Sequence, residues 1–210
     1  MTFVGSLIKN TTKVGYQYSN KRKKYHPDQE KVLEHLVNKA KRTSFGKIYN
    51  FSSIEANNPG ELATVFAERL PIFTYERLYN EFYKFQLKGS TGVTWPSKID
   101  YYALTSGTTQ GGSKRIPVSE QMIKQFQKTS FQQVLSLHEL NLPPSFFKSS
   151  ILTLGGSTRL ESVNGHWEGD LSGILQRNKS MVYKLFTKPG SSIGAIKNWH
   201  IKKAAIVKNA

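Results

Sequence analysis

The segment that most constrains the fold is a loop rich in glycine and hydroxyl side chains between two short apolar stretches. Residues 101–104 (YYAL) and 115–118 (RIPV) are each typical of a short β-strand, and residues 105–114 (TSGTTQGGSK) separate them. Longer stretches with the apolar spacing of helices lie on both sides, for example over residues 32–40. Short strands separated by long helices predict an α/β fold, with helices first and a mixed sheet that begins at residue 101.

The loop has the composition of a phosphate-binding site. Its glycines, Gly107, Gly111 and Gly112, let backbone N–H groups approach an anion, its hydroxyls donate hydrogen bonds, and Lys114 adds a positive charge. It is not a Walker A loop, because Ser113 stands where that pattern requires lysine. From composition alone, a flexible Gly/Ser/Thr surface turn explains the segment equally well.

The whole pattern, aromatic-x-x-[ST]-S-G-T-T-x-G-x-x-K-x-x-P, resembles the first nucleotide-binding motif of the acyl-adenylate-forming enzymes. The flanking sequence narrows the resemblance to the auxin-responsive promoter family of acyl-acid amido synthetases, and the chain looks like a bacterial member. That resemblance runs from about residue 25 to the end and rests on residues 33–51, 70–76 (LPIFTYE), 152–157 (LTLGGS) and 169–174 (GDLSGI).

The resemblance implies a ligase activity. Family members form an acyl-adenylate from a carboxylic acid and ATP with Mg²⁺, and then pass the acyl group to an amino acid. The resemblance identifies no catalytic acid or base and no metal-ligating residue, and it leaves the acyl-acid and amino-acid specificity open. It does imply which residues hold the β- and γ-phosphates of ATP: Thr105, Ser106, Gly107, Thr108, Thr109 and Lys114.

The family pattern is present only in part. Members are well over twice as long, and their second and third motifs, which grip adenine and ribose, have no counterpart in these 210 residues. We therefore expect residues 1–210 to be an N-terminal fragment: the first part of the large adenylate-forming domain, without its C-terminal part or the small C-terminal domain. Such a chain is expected to be inactive alone, or to be one subunit of a split enzyme completed by a separately encoded C-terminal half.

The charge suggests a competing function. The chain has 30 Lys and Arg against 14 Asp and Glu, a net charge of +16, and eight basic residues but no acidic one follow Asp170. A basic nucleic-acid-binding module would use such residues on phosphates. However, the aromatic residues stand at core-like helical spacing, and no recognised nucleic-acid-binding signature is present. We expect no specific nucleic-acid partner, and expect the excess charge to be matched by carboxylates elsewhere in a longer enzyme.

Other function classes are excluded by composition. The chain has no cysteine, which rules out disulfides, thiolate metal sites and a cysteine nucleophile. Its apolar stretches are too short to span a bilayer, so no membrane role and a cytoplasmic location are expected.

Three further segments give local predictions. His166, Glu168 and Asp170 alternate, a pattern more typical of the solvent face of a hairpin than of a metal site. Residues 181–186 are apolar and are predicted to form a strand, and residues 193–208 are predicted to form one helix.

Overall fold

Helices precede the sheet in the computed structural model, which describes residues 3–21, 28–55, 60–106 and 112–209. The α/β fold class is confirmed. The α-helices are α1 (Phe3–Lys21), α2 (Asp28–Ala40), α3 (Ser44–Ile48), α4 (Leu62–Arg69), α5 (Tyr75–Leu78), α6 (Lys84–Leu87), α7 (Glu120–Ser136), α8 (Leu171–Arg177), α9 (Met181–Leu185), α10 (Ser191–Gly194) and α11 (Trp199–Asn209). The strands are β1 (Tyr101–Leu104), β2 (Arg115–Val118), β3 (Ile151–Leu152), β4 (Glu161–Val163), β5 (His166–Gly169) and β6 (Thr187–Lys188).

The chain divides into two units. Residues 1–23, 101–162 and 167–210 form the sheet unit, and residues 24–100 with 163–166 form the helical unit. No helix within the described ranges is both long and apolar enough to cross a membrane.

The helical unit is built around the apolar face of α2. Its buried core brings that face together with α4 and the turn that follows α3. Thr43 caps α3 by accepting a hydrogen bond from the Gly46 backbone N–H at 3.0 Å, so the chain restarts a helix shortly after α2 ends. The buried residues of this core are Val37, Ala40, Phe51, Ile54 and Leu62.

The sheet unit contains a four-stranded sheet in the order β2-β1-β5-β4. β1 pairs with β2 in the antiparallel direction and with β5 in the parallel direction, which makes the sheet mixed as expected. Helices α7 and α8 pack their apolar residues on this sheet. Ser119 caps α7 by accepting from the Met122 N–H, as its position before the helix predicts. The buried residues of this core are Ala103, Val118, Ile123, Leu160 and Ile174.

The chain after α8 differs from the sequence prediction. The expected strand over residues 181–186 is instead helix α9, because Ser180 caps it by accepting from the Tyr183 N–H at 3.3 Å. A strand begins only after α9, as β6, which pairs in parallel with β3 in a separate two-stranded sheet. The single helix expected over residues 193–208 is divided into α10 and α11. At the start of α11, the Asn198 side chain accepts a hydrogen bond from the Ile201 N–H.

Candidate nucleotide phosphate site

The glycine-rich loop connects β1 to β2, which pair with each other in the antiparallel direction. The β1–β2 register runs from Tyr101 opposite Val118 to Leu104 opposite Arg115. Two hydrogen bonds extend this ladder into the loop: the Thr105 N–H donates to the Lys114 carbonyl, and the Lys114 N–H donates to the Thr105 hydroxyl oxygen, both at 3.0 Å. The base of the loop is therefore closed, with its first and last predicted phosphate ligands side by side.

The predicted ligands are described only in part. Thr105 and Ser106 are exposed and Lys114 is half-buried, whereas Gly107, Thr108 and Thr109 lie outside the described residues. The Thr105 hydroxyl accepts from Lys114 but retains its own proton, which is free to be donated.

Gly112 supplies a backbone conformation that the loop needs. Its φ is +74°, in the left-handed region that L side chains rarely adopt, and no atom of the described residues lies within 4 Å of the place where a Cβ would stand. Glycine is thus required here by the backbone rather than by crowding.

A cavity lies at the edge of the sheet from which the loop emerges. Because β1 and β5 are parallel, the residues after them, Thr105 and Asp170, leave the sheet at the same edge. This is the edge at which open α/β sheets bind ligands. The cavity has a volume of about 300 Å³, and its lining includes Leu104, Glu168, Asp170 and Lys202. We call it the edge cavity.

An ion pair holds β2, the strand that follows the loop, to β5. Arg115 Nε, directly after Lys114, lies 2.7 Å from Glu168 Oε1 and so links β2 to β5 across β1. Glu168 and His166 are both buried, at 4% and 5% exposure, so the predicted solvent face is wrong for these two residues, whereas Asp170 is exposed as expected. β5 lies between β1 and β4 in the sheet, and Glu168 is used there for the ion pair with Arg115 instead of facing solvent.

A buried lysine shapes the wall of the edge cavity, and sequence reasoning missed it. Lys202 is only 2% exposed, and its ammonium donates to the carbonyls of Gly155 (2.8 Å), Gly156 (2.7 Å) and Gly194 (3.1 Å). Burial lowers the pKa of Lys202, and the charge of Asp170 partly opposes this shift. The one signal in the sequence is spacing: Lys202 stands four residues before the buried Ile206, on the inward face of α11.

Comparison with known proteins points to one family. The model of the GH3 family N-terminal domain matches residues 16–202. A solved structure of the GH3.15 acyl acid amido synthetase is similar to 99% of this chain, with a TM-score of 0.68 at 14% sequence identity. Another, AtGH3.15 acyl acid amido synthetase in complex with 2,4-DB, is similar to 71% of the chain, with a TM-score of 0.50 at 18% identity. At such identities the structural likeness shows the fold.

The two solved proteins are much longer than this chain. The similar region covers 33% of the first and 26% of the second. No curated protein sequence matches the chain.

Proposed function

The chain belongs to the GH3 family of acyl-acid amido synthetases, and from this membership we propose that it supplies the ATP phosphate loop of such an enzyme. The observation that carries the proposal is the closed base of the loop, where one backbone–backbone hydrogen bond and one bond from the Lys114 N–H to the Thr105 hydroxyl hold Thr105 and Lys114 together. The fixed base keeps Thr105 and Lys114 side by side, and we infer that their hydroxyl and ammonium, with the hydroxyl of Ser106, reach one ligand. Gly107, Thr108 and Thr109 complete this proposed phosphate site.

The proposed reaction makes an acyl-adenylate. A carboxylate oxygen of the acyl acid forms a bond to the α-phosphorus of ATP, the bond from that phosphorus to the bridging oxygen breaks, and pyrophosphate leaves. Negative charge grows on the leaving group, so Lys114 and the hydroxyl donors stabilise the transition state by binding the β- and γ-phosphates. Loss of one such pre-positioned donor typically lowers kcat by about 10²–10³-fold.

Mg²⁺ is expected from the family chemistry. The described ranges contain no group of three His, Asp or Glu side chains that could hold a metal ion. The carboxylate of Glu168, on the strand beside β1, is paired with Arg115. No described residue is therefore proposed as a ligand of Mg²⁺.

We further propose that this chain does not complete adenylation by itself. The motifs that grip adenine and ribose are missing from its 210 residues, and the chain spans about a third of the length of the solved relative. The acyl acid, the amino acid and the nucleoside would then be held largely by polypeptide other than this chain. Acyl transfer to an amino acid belongs to that whole enzyme.

ATP–pyrophosphate exchange tests this part of the proposal. The purified chain is incubated with ATP, labelled pyrophosphate and a panel of carboxylic acids, with the Lys114→Ala variant as the matched control. We expect both proteins to give the same background. Acid-dependent exchange by the wild-type chain alone would refute the claim that it is insufficient. If that exchange also vanished in Lys114→Ala, the phosphate loop assignment would still stand.

A further inference from the structure

A second cavity of the sheet unit is lined by positive charge. It has a volume of about 230 Å³ and lies beside α8, α9 and β6. Three of its lining residues are cations and three carry hydroxyls, while none of the described residues that line it is acidic. We call this cavity the cationic pocket, and define it by Arg177, Lys179, Lys184, Thr158, Thr187 and Ser191.

None of its three cations is neutralised. Within the described ranges, Arg177, Lys179 and Lys184 form no ion pair with any carboxylate. The Arg177 guanidinium stacks 4.4 Å from the Trp167 ring centroid, which fixes its plane without neutralising its charge. Lys179 is half-buried, and this burial lowers its pKa. Neighbouring cations without a carboxylate partner repel one another. An anion bound among them would therefore relieve this electrostatic repulsion.

Backbone hydrogen bonds hold the part of the wall that Thr158, Gly190 and Gly194 form. The Thr158 N–H donates to the Gly194 carbonyl at 3.0 Å, and the Gly194 N–H donates to the Gly190 carbonyl at 2.9 Å. The buried ammonium of Lys202 donates to the same Gly194 carbonyl. A site whose walls are already in place loses little conformational entropy when a ligand binds.

We propose that the cationic pocket binds a small phosphate anion. Arg and Lys side chains are the strongest donors to phosphate oxygens, and the three hydroxyls add neutral donors. The volume is below the roughly 300 Å³ at which pockets for drug-sized ligands begin, which favours an ion over a large organic molecule. None of the described residues that line the pocket belongs to the phosphate loop, so the inference does not depend on the adenylation proposal.

Calorimetric titration with inorganic pyrophosphate tests the pocket on the full chain. The test variant is Arg177→Gln/Lys184→Gln, and the charge-matched control is Lys203→Gln/Lys208→Gln, at two exposed lysines of α11. We expect saturable binding whose Kd rises about tenfold or more in the test variant, because two charge-assisted hydrogen bonds are lost. In the control the Kd should change by less than about twofold.

Two outcomes would overturn the inference. Equal weakening in the test variant and the control would show general attraction by the net charge. Loss of binding in Lys114→Ala, with the test variant unaffected, would assign the pyrophosphate to the phosphate loop.

A measurement on the wild-type chain avoids dependence on the folding of the variant. Lysine acetylation is followed by mass spectrometry with and without pyrophosphate. Protection of Lys184 and Lys179, with no change at Lys203, supports the pocket. Uniform rates at all three lysines contradict it.

Discussion

Replacement of Lys202 by methionine should destabilise the sheet unit strongly. The side chain is almost completely buried, and its ammonium binds three backbone carbonyls, those of Gly155, Gly156 and Gly194. Methionine has a similar length but donates no hydrogen bond. The variant therefore leaves three acceptors without their donor in a site that water reaches poorly.

The magnitude follows from those three bonds. At about 1.5 kcal/mol for each hydrogen bond to a charged group, their loss amounts to about 4–5 kcal/mol. The variant also removes the desolvation penalty of the buried ammonium, which offsets part of the lost hydrogen-bond energy. We therefore expect the free energy of unfolding to fall by about 3 kcal/mol. For a chain of about 200 residues this corresponds to a Tm lower by about 6–12 °C.

Urea unfolding and thermal unfolding, followed by circular dichroism, measure the effect. Lys203→Met is the matched control, because Lys203 is the next residue of the same helix and is exposed. We expect the control to change the free energy of unfolding by less than about 0.5 kcal/mol. If Lys202→Met and Lys203→Met were equally stable, the buried lysine would not hold the turn at the edge cavity.

Three further predictions concern the loop, the pH and the net charge. Gly112→Ala should cost about 1 kcal/mol in urea unfolding because its φ is +74°, whereas Gly190→Ala, at φ −66°, introduces no such backbone strain and should cost less, its only penalty being that alanine is a poorer N-cap of α10 than glycine. Since burial lowers the pKa of Lys202, the unfolded chain binds more protons between that lowered pKa and 10.5. Stability should therefore rise with pH through this interval in the wild-type chain more than in Lys202→Met. In gel shifts, nucleic acid binding driven by the +16 charge should disappear as salt approaches physiological concentration, and persistent sequence-specific binding would favour the competing nucleic-acid function.

The parts of the fold that local sequence specifies could be predicted. The bounds of β1 and β2 agree with the expectation, since short apolar runs next to glycine leave few alternatives. An N-cap such as Ser119 bonds a backbone N–H only three residues further along the chain, so such caps can also be predicted from the sequence. Ser180 is a cap of the same kind, but the apolar run after it was interpreted as a strand, because short apolar runs fit both structures.

Features that depend on distant contacts could not be predicted. The alternation of His166 and Glu168 indicates that their side chains lie on the same face of a strand. It does not indicate that this strand, β5, lies between two other strands. Lys202 and Lys203 are chemically identical in the sequence, and only the fold places one against three carbonyls and the other at the surface. The phosphate-binding roles of all six loop residues remain predictions from the resemblance: Thr105, Ser106, Gly107, Thr108, Thr109 and Lys114.

The most direct test of the phosphate loop uses an ATP analogue that carries a reactive acyl phosphate at its γ-phosphate. Such a reagent acylates the lysine that lies beside the bound phosphates, and mass spectrometry identifies that residue. We predict that Lys114 is labelled in preference to the exposed Lys203, and that free ATP protects it. Labelling spread over exposed lysines, with no protection of Lys114 by ATP, would contradict the assignment of this loop to ATP.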